Sequence, residues 1–260
     1  MIPLRQFVPS VQQFVVGHRG SSGTAPENTL TSIRQALDAG VDMIELDVQL
    51  TGDHEIIVFH DAVLGRTTEG KGRVQASTLR EMQKLDAGLW FSEEYRGEIV
   101  PSLRQAISLI QGKAYLNIEI KPPQQEENYH IRLEKILECI FEMKMEQFTL
   151  FGSFHHVALA HLKRQYPELH TAAINVPNDK RLPSEIADEI GCEGFICSMR
   201  ELTRKRSENA LRSGIYLGVY TINSLEDFQF ALSRKAKAIA TNYPARIQEY
   251  LKNGSIPNIR

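Results

Sequence analysis

Two short apolar segments of the 260-residue chain carry ionisable side chains at alternate positions. One reads Met-Ile-Glu-Leu-Asp-Val and the other reads Leu-Asn-Ile-Glu-Ile-Lys. Because successive side chains of a β-strand point to opposite faces, Glu45 and Asp47 share one face of the first segment, and Glu119 and Lys121 share one face of the second. Charged side chains on otherwise apolar strands are costly to bury unless they pair with other charges or bind a metal ion.

The three carboxylates predict a metal site. Near the ends of two strands, Glu45, Asp47 and Glu119 would form an all-oxygen cluster, in which like charges repel unless a cation neutralises them. Oxygen ligands favour one divalent cation such as Mg²⁺ or Ca²⁺, with Mn²⁺ as a further candidate, over zinc or copper. The alternative is ion pairing within the protein, of Glu119 with Lys121 or of Glu45 with Arg19.

Two histidines stand at the ends of other strand-like segments. His18 and Arg19 lie in Gly-His-Arg-Gly, and His60 lies in Phe-His-Asp. One histidine can act as a base and the other as an acid near neutral pH, and the two roles can be assigned either way. Arg19 offers a planar fork of donors that matches a phosphate, and Lys121 offers a compact positive charge.

Apolar runs alternate with amphipathic segments through most of the chain, which predicts a parallel sheet with helices outside it. The predicted strands are residues 14–17, 43–49, 56–60, 115–121, 148–153, 171–176, 194–198, 216–222 and 238–241. The predicted helices are residues 29–39, 102–110, 128–143, 155–165, 183–189, 203–212, 225–232 and 245–252.

Eight such units at this length favour an α/β fold, a single (β/α)8 TIM barrel that spans residues 1–260 as one domain. A doubly wound open sheet is the alternative. Residues 56–60 form an extra strand paired with the second, and residues 61–100 form a small insertion after it. At the barrel rim, the carboxyl ends of the strands would gather the charged residues described above.

Composition excludes several classes of partner. Lysine and arginine number 30 against 32 acidic residues, a net charge of −2, so nothing predicts a nucleic-acid surface. No segment approaches the roughly 20 apolar residues of a membrane span, and the insertion lacks an amphipathic membrane-docking face. The three cysteines show no disulfide or zinc spacing. We therefore expect a cytoplasmic protein without stable membrane association.

An ordered set of motifs resembles the glycerophosphodiester phosphodiesterase family, of the bacterial cytosolic type. The resemblance covers about residues 14–250 and is most specific before Pro122. The motifs are Gly17-His18-Arg19-Gly20, Ala25-Pro26-Glu27-Asn28-Thr29, Glu45-Leu46-Asp47-Val48, Phe59-His60-Asp61, Arg66-Thr67-Thr68-Glu69-Gly70-Lys71-Gly72, Pro101-Ser102-Leu103 and Asn117-Ile118-Glu119-Ile120-Lys121-Pro122.

The resemblance implies a metal-dependent barrel hydrolase that cleaves small glycerophosphodiesters to glycerol 3-phosphate and an alcohol. It implies the following roles for residues named above: metal ligands Glu45, Asp47 and Glu119; acid and base His18 and His60; phosphate contacts Arg19 and Lys121. Either water or the substrate's own glycerol hydroxyl can be the nucleophile.

The chain departs from the family pattern mainly in its second half, at Ser153-Phe154-His155, Tyr220-Thr221-Ile222-Asn223 and Thr241-Asn242-Tyr243-Pro244. No proposed ligand or acid-base residue is lost. We expect the side chains of Phe154 and Tyr220 to line the part of the pocket that holds the alcohol leaving group. The aromatic residues Trp90, Phe91 and Tyr95 could line the same part, but we favour a role in pinning the insertion to the barrel.

Two other functions fit parts of this pattern. A phosphodiester-binding protein without turnover would keep the pocket, and the loss of a ligand or a histidine would favour it. A metal-dependent lyase or isomerase acting on a phosphorylated sugar would share the barrel and the metal. Two acid-base histidines beside two basic side chains suited to phosphate favour a reaction at phosphorus over a lyase or isomerase reaction.

Overall fold

The computed structural model describes residues 1–122 and 129–252. The strands are β1 (Phe14–His18), β2 (Met43–Leu50), β3 (Ile56–Val58), β4 (Tyr115–Ile120), β5 (Thr149–Ser153), β6 (His170–Ile174), β7 (Gly194–Ser198), β8 (Tyr216–Tyr220) and β9 (Ala238–Thr241). The helices are α1 (Leu4–Ser10), α2 (Leu30–Asp38), α3 (Leu79–Met82), α4 (Leu103–Ile110), α5 (Tyr129–Glu142), α6 (His156–Gln165), α7 (Pro183–Ile190), α8 (Arg204–Arg212), α9 (Leu225–Ser233) and α10 (Pro244–Lys252).

Eight parallel strands close into a barrel. The order runs β1-β9-β8-β7-β6-β5-β4-β2, and pairing of β1 with β2 closes the ring. This closure confirms the predicted (β/α)8 barrel and excludes the open sheet. Strand β3 pairs antiparallel with β2, as expected of the extra strand. The predicted boundaries differ by one or two residues at most ends, and predicted helix residue 128 lies outside the described residues.

Burial separates the two faces of the strands. On β2, Ile44, Leu46 and Val48 belong to the large core between the barrel and its surrounding helices. Met43 belongs instead to the apolar cluster inside the barrel. The alternation read from the sequence therefore sends Glu45 and Asp47 inward, as predicted.

The amino-terminal end of the barrel is covered by α1, a helix that the sequence did not predict. Leu4 and Val8 are buried against the inner cluster, and the ring of Phe7 stacks on Tyr115 with centroids 4.5 Å apart. The helix has only seven residues and contains Pro9, so its periodicity is weak. Its stability depends on packing against the barrel, which a local pattern does not report.

The insertion between β3 and α4 has a small core of its own, formed by buried residues from Ile57 to Val100. It is anchored to the barrel by Tyr95, whose hydroxyl donates to the Thr24 carbonyl oxygen at 2.8 Å. The rings of Trp90, Phe91 and Tyr95 meet edge to face. These contacts agree with the pinning role favoured above. That the whole chain forms one domain stays a prediction.

Candidate active site

The strand register brings the charged residues to one rim of the barrel. His18 at the end of β1 stands opposite Glu45, and Asp47 stands opposite Glu119 on the neighbouring strand β4. His60 is separated from β3 by Phe59 alone, and the backbone N–H of Phe59 donates to the Asp47 carbonyl at 2.9 Å, which keeps this segment beside β2. Residues far apart in sequence thus share the carboxyl ends of adjacent strands.

Glu45, Asp47 and Glu119 form a compact carboxylate cluster, in which one oxygen of each lies within 4.8 Å of the others. Asp47 is fully buried and Glu45 nearly so. Oε1 of Glu45 is buried and has no hydrogen-bond partner among the described residues. A cluster of this donor set, with an unsatisfied buried oxygen, fits a hard divalent cation.

Two basic side chains flank the cluster. The Lys121 ammonium lies 2.5 Å from both Asp47 Oδ1 and Glu119 Oε1, and Arg19 Nε lies 3.1 Å from Asp47 Oδ2. The Glu119–Lys121 ion pair considered from the sequence therefore forms. Arg19 differs from the expectation, because its guanidinium pairs with Asp47 and Glu27 while its backbone N–H donates to Glu45 at 2.9 Å.

The cluster's carboxylates titrate differently. Burial and the neighbouring Asp47 and Glu119 charges raise the pKa of Glu45 well above its usual range, and burial with Asp47 raises that of Glu119. Burial opposes ionisation of Asp47 too, but the charges of Lys121 and Arg19 outweigh it and hold its pKa low. A cation bound among these carboxylates would favour their ionised forms.

His18 is held by the last strand-to-helix connection. Its Nδ1 lies 2.8 Å from Oδ1 of Asn242, directly after β9, and its Nε2 lies 4.0 Å from Glu45 Oε2. Burial, assisted by the positive charge of Arg19, lowers the pKa of His18 to about 4. The imidazole is therefore neutral at pH 7.

His60 stands at the end of a chain of charged hydrogen bonds. Its Nδ1 lies 2.6 Å from Asp61 Oδ1, and Asp61 accepts from Arg66 Nε at 2.6 Å. Arg66 also donates to Glu27, which accepts from Arg19. The contact with Asp61 fixes the orientation of the His60 ring.

The sequence did not single out Asn28, Asn242, Arg66 or Glu27 as site residues, although all four stand in motifs that it identified. Asn28 has a φ of 60° and donates from Nδ2 to Asp47 Oδ2 at 2.8 Å. A left-handed backbone at a buried non-glycine residue is uncommon and indicates a constrained position. The neighbouring Thr29 caps α2, and its side chain accepts from the Ser32 backbone N–H.

A cavity of about 370 Å³ opens beside these residues and descends into the barrel. Its upper wall includes His18, His60, Glu45, Glu119 and Lys121. Phe154 and Tyr220 line it, whereas Trp90, Phe91 and Tyr95 are not among the described residues that line it. The role of Phe154 and Tyr220 toward the leaving group stays a prediction. The floor of the cavity is apolar and includes Met43 and Tyr216.

The rim of this (β/α)8 barrel brings together three carboxylates, two histidines and two basic side chains. This arrangement is that of a phosphoester hydrolase. The model of the glycerophosphoryl diester phosphodiesterase family matches residues 18–246. The chain belongs to this family. The expectation of a glycerophosphodiester phosphodiesterase is confirmed, and with it a small-molecule substrate.

Individual relatives agree with the family model. A glycerophosphodiester phosphodiesterase of Caldanaerobacter subterraneus is 32% identical over 250 residues, which cover 94% of this chain and 100% of the relative. One of Bacillus altitudinis is 31% identical, with 92% and 99% covered. The solved structure of an Oleispira antarctica phosphodiesterase in complex with the product sn-glycerol-3-phosphate superposes with a TM-score of 0.87, at 30% identity, with 94% and 99% covered.

Within residues 1–122 and 129–252, no helix combines the length and apolar character that a bilayer span requires. The cytoplasmic location and the absence of nucleic-acid partners stay predictions.

Proposed function

We propose that the protein hydrolyses glycerophosphodiesters to glycerol 3-phosphate and an alcohol, with one divalent cation bound by Glu45, Asp47 and Glu119. The observation that carries this proposal is the buried carboxylate cluster between the two rim histidines. One oxygen of each carboxylate lies within 4.8 Å of the others, and of the three Lys121 contacts only Asp47 and Glu119. The unsatisfied buried oxygen of Glu45 therefore favours a further positive charge.

The cation, Mg²⁺ or Ca²⁺ with Mn²⁺ as a further candidate, would polarise phosphoryl oxygens and make a coordinated hydroxyl more acidic. Asn28 and Lys121 restrict the orientation of Asp47, through contacts of 2.8 Å and 2.5 Å. Such supporting contacts keep ligand oxygens in place as the charge at the site changes.

Arg19 and Lys121 would bind the phosphate. Their side chains are only 18% and 12% exposed, so the charges act in a low-dielectric environment at the cavity wall. Both already contact Asp47, which fixes their positions before substrate arrives. Preorganised charges of this kind stabilise negative charge that develops on phosphoryl oxygens in the transition state.

We assign His18 as the general base and His60 as the general acid. His18 is buried and neutral, with Nδ1 engaged by Asn242, so Nε2 is free to accept a proton from the nucleophile. His60 Nδ1 is hydrogen-bonded to the carboxylate of Asp61, which orients the ring so that Nε2 can donate a proton to the leaving oxygen. Both water and the glycerol hydroxyl are compatible with this pairing.

Phe154 and Tyr220 would flank the alcohol leaving group at the cavity wall. The insertion presents mixed charges rather than an apolar face, so we expect small soluble diesters as substrates. Glycerophosphocholine, glycerophosphoethanolamine and glycerophosphoglycerol should be hydrolysed with modest discrimination, and bilayer phospholipids poorly. Faster cleavage of phosphatidylcholine vesicles than of the three diesters would contradict this part of the proposal.

A coupled assay for released glycerol 3-phosphate tests the reaction and its metal requirement. Chelation should abolish product release, and Mg²⁺, Ca²⁺ or Mn²⁺ should restore it better than Cu²⁺. Glu119→Gln should lose both metal affinity and turnover, while Glu55→Gln, an exposed glutamate outside the cluster, should retain both. Full activity of Glu119→Gln in chelator would refute the metal site.

A further inference from the structure

The opposite end of the barrel holds a second cavity, of about 680 Å³, between α1, α8 and the loops that lead into β8 and β9. Val8, Leu211 and Leu217 supply apolar wall, and Arg5, Lys235 and Lys237 supply positive charge. It lies where barrel enzymes rarely place chemistry, since catalytic residues belong to the carboxyl ends of the strands. The composition of its wall nevertheless matches that of a ligand pocket.

Two polar groups in this cavity wall have no hydrogen-bond partner within residues 1–122 and 129–252. His170, at the start of β6, is 6% exposed, and neither ring nitrogen forms a hydrogen bond with the described residues. The Tyr216 hydroxyl is likewise buried and unpaired within the described part of the chain. The two rings stack with centroids 5.7 Å apart and planes at 7°. A buried polar group left without a partner is costly, so both groups are available to hydrogen-bond a ligand that enters the cavity.

The charge at this cavity is positive after internal pairing is considered. Glu193 is the one acid among the described residues that line it. This carboxylate pairs with Lys163, lies 3.7 Å from Arg5 and accepts from the Thr171 backbone N–H at 3.0 Å. Its negative charge is therefore already compensated.

The two lysines of the wall are not neutralised in this way. In the described ranges, no carboxylate lies within 4.0 Å of Lys235 or Lys237. Lys237 Nζ donates to the Val8 carbonyl at 2.7 Å, which holds the ammonium at the edge of α1. The positive charges thus border the same cavity as the unpaired His170 and Tyr216 groups.

We propose that this cavity binds a small organic phosphate monoester, with its phosphate between Lys237, Arg5 and His170 and its apolar body against Val8 and Leu217. Two lysines, an arginine and two neutral donors suit a tetrahedral dianion better than a planar monoanion. Tyr216 lines both this cavity and the floor of the catalytic cavity, so a ligand here would contact the catalytic floor from below. The proposal goes beyond the proposed hydrolysis and does not depend on it.

Isothermal titration calorimetry with phenyl phosphate tests the site. The wild-type protein loaded with Mg²⁺ should show two binding events. Arg19→Met in chelator has a disabled catalytic site and should show only the binding event at the second cavity, with a submillimolar Kd. In that background, Lys237→Met and His170→Phe should each weaken binding by about tenfold. Lys113→Met, an exposed lysine elsewhere on the same barrel end, should leave it unchanged.

Lys235 is exposed, so Lys235→Met tests the site without disturbing the core. This variant should also weaken phenyl phosphate binding. Benzoate should bind more weakly than phenyl phosphate. The proposal is overturned if the Arg19→Met protein binds no phenyl phosphate at millimolar concentration. It is also overturned if its binding is insensitive to Lys235→Met and Lys237→Met, or if benzoate binds equally well.

Discussion

The two ends of this barrel bury polar groups in contrasting ways. At the carboxyl rim, Asp47 is fully buried but touches Arg19, Lys121 and Asn28. At the amino-terminal end, Leu4 and Val8 of α1 seal the barrel interior, while His170 lacks a partner among the described residues. The rim is charged and extensively paired, whereas the opposite end combines an apolar plug with unpaired groups.

This difference separates the contributions to activity from those to stability. Burial and repulsion between neighbouring carboxylates raise the pKa values of Glu45 and Glu119, which costs folding free energy that a bound cation would recover. The plug at the other end stabilises the fold through apolar burial. Substitutions at the rim should therefore change turnover, and those at the plug should change stability.

The largest expected effect is at the histidines. His18→Ala and His60→Ala should each lower kcat by about 10³-fold, because each removes a proton transfer, while circular dichroism shows an intact fold. A glycerophosphodiester with a nitrophenolate leaving group needs no proton donor, so the His60→Ala defect should shrink with it and the His18→Ala defect should not. The reverse pattern would exchange the two assignments, and near-normal turnover in both variants would make the histidines structural.

At the other end, Leu4→Ala should lower the free energy of unfolding by about 3 kcal/mol, through lost burial and a cavity beneath α1. Denaturant titration measures this loss, and kcat of the folded protein should be unchanged. Leu211→Ala, at a leucine that is 65% exposed, is the matched control and should change stability little. Equal effects of the two substitutions would show that α1 does not plug the barrel.

The buried His170 should make stability depend on pH. Burial lowers its pKa from 6.5 to about 4, so as the pH falls below 6.5 the unfolded chain binds a proton that the folded protein does not. Stability therefore falls with pH, and this residue should account for about 2 kcal/mol of the loss between pH 7 and pH 5. His170→Phe should flatten the acid limb of Tm against pH, and an unchanged limb would contradict the inferred burial.

The smallest expected effect is at Asp61, which positions His60. Asp61→Asn retains the shape but replaces the carboxylate that orients the His60 ring, so kcat should fall about tenfold with KM nearly unchanged. Asp188→Asn, at an exposed aspartate remote from the site, should have no effect. A rise in KM without a loss of kcat would place Asp61 in substrate binding instead.

Much of the fold follows from the sequence because the relevant signals are local. Strand periodicity on β2 places Ile44 and Leu46 toward the helices and Glu45 and Asp47 toward the interior, and the structure shows this division. The α1 helix was missed because a seven-residue helix with an internal proline has little periodicity. Its existence depends on the barrel end against which it packs.

The candidate site divides similarly. Residue type and alternation alone indicated Glu45, Asp47 and Glu119, because charges on apolar strands conflict with ordinary burial. The residues that hold these side chains in place gave no comparable signal in the sequence. Asn242 lies 224 residues from the histidine it contacts, and an asparagine after a strand is ordinary loop composition.

The sequence by itself determined the alternation of strands and helices, the inward face of each charged strand and the family to which its motifs belong. Only the tertiary structure decided that β1 pairs with β2, that Arg19 contacts Asp47 rather than Glu45 through its side chain, and that His170 stacks on Tyr216 in a second cavity. The physical reason is the separation along the sequence over which each kind of interaction acts. Periodicity and turn chemistry act over a few residues, whereas ion pairs, cavities and unsatisfied buried groups depend on which distant segments barrel closure brings together.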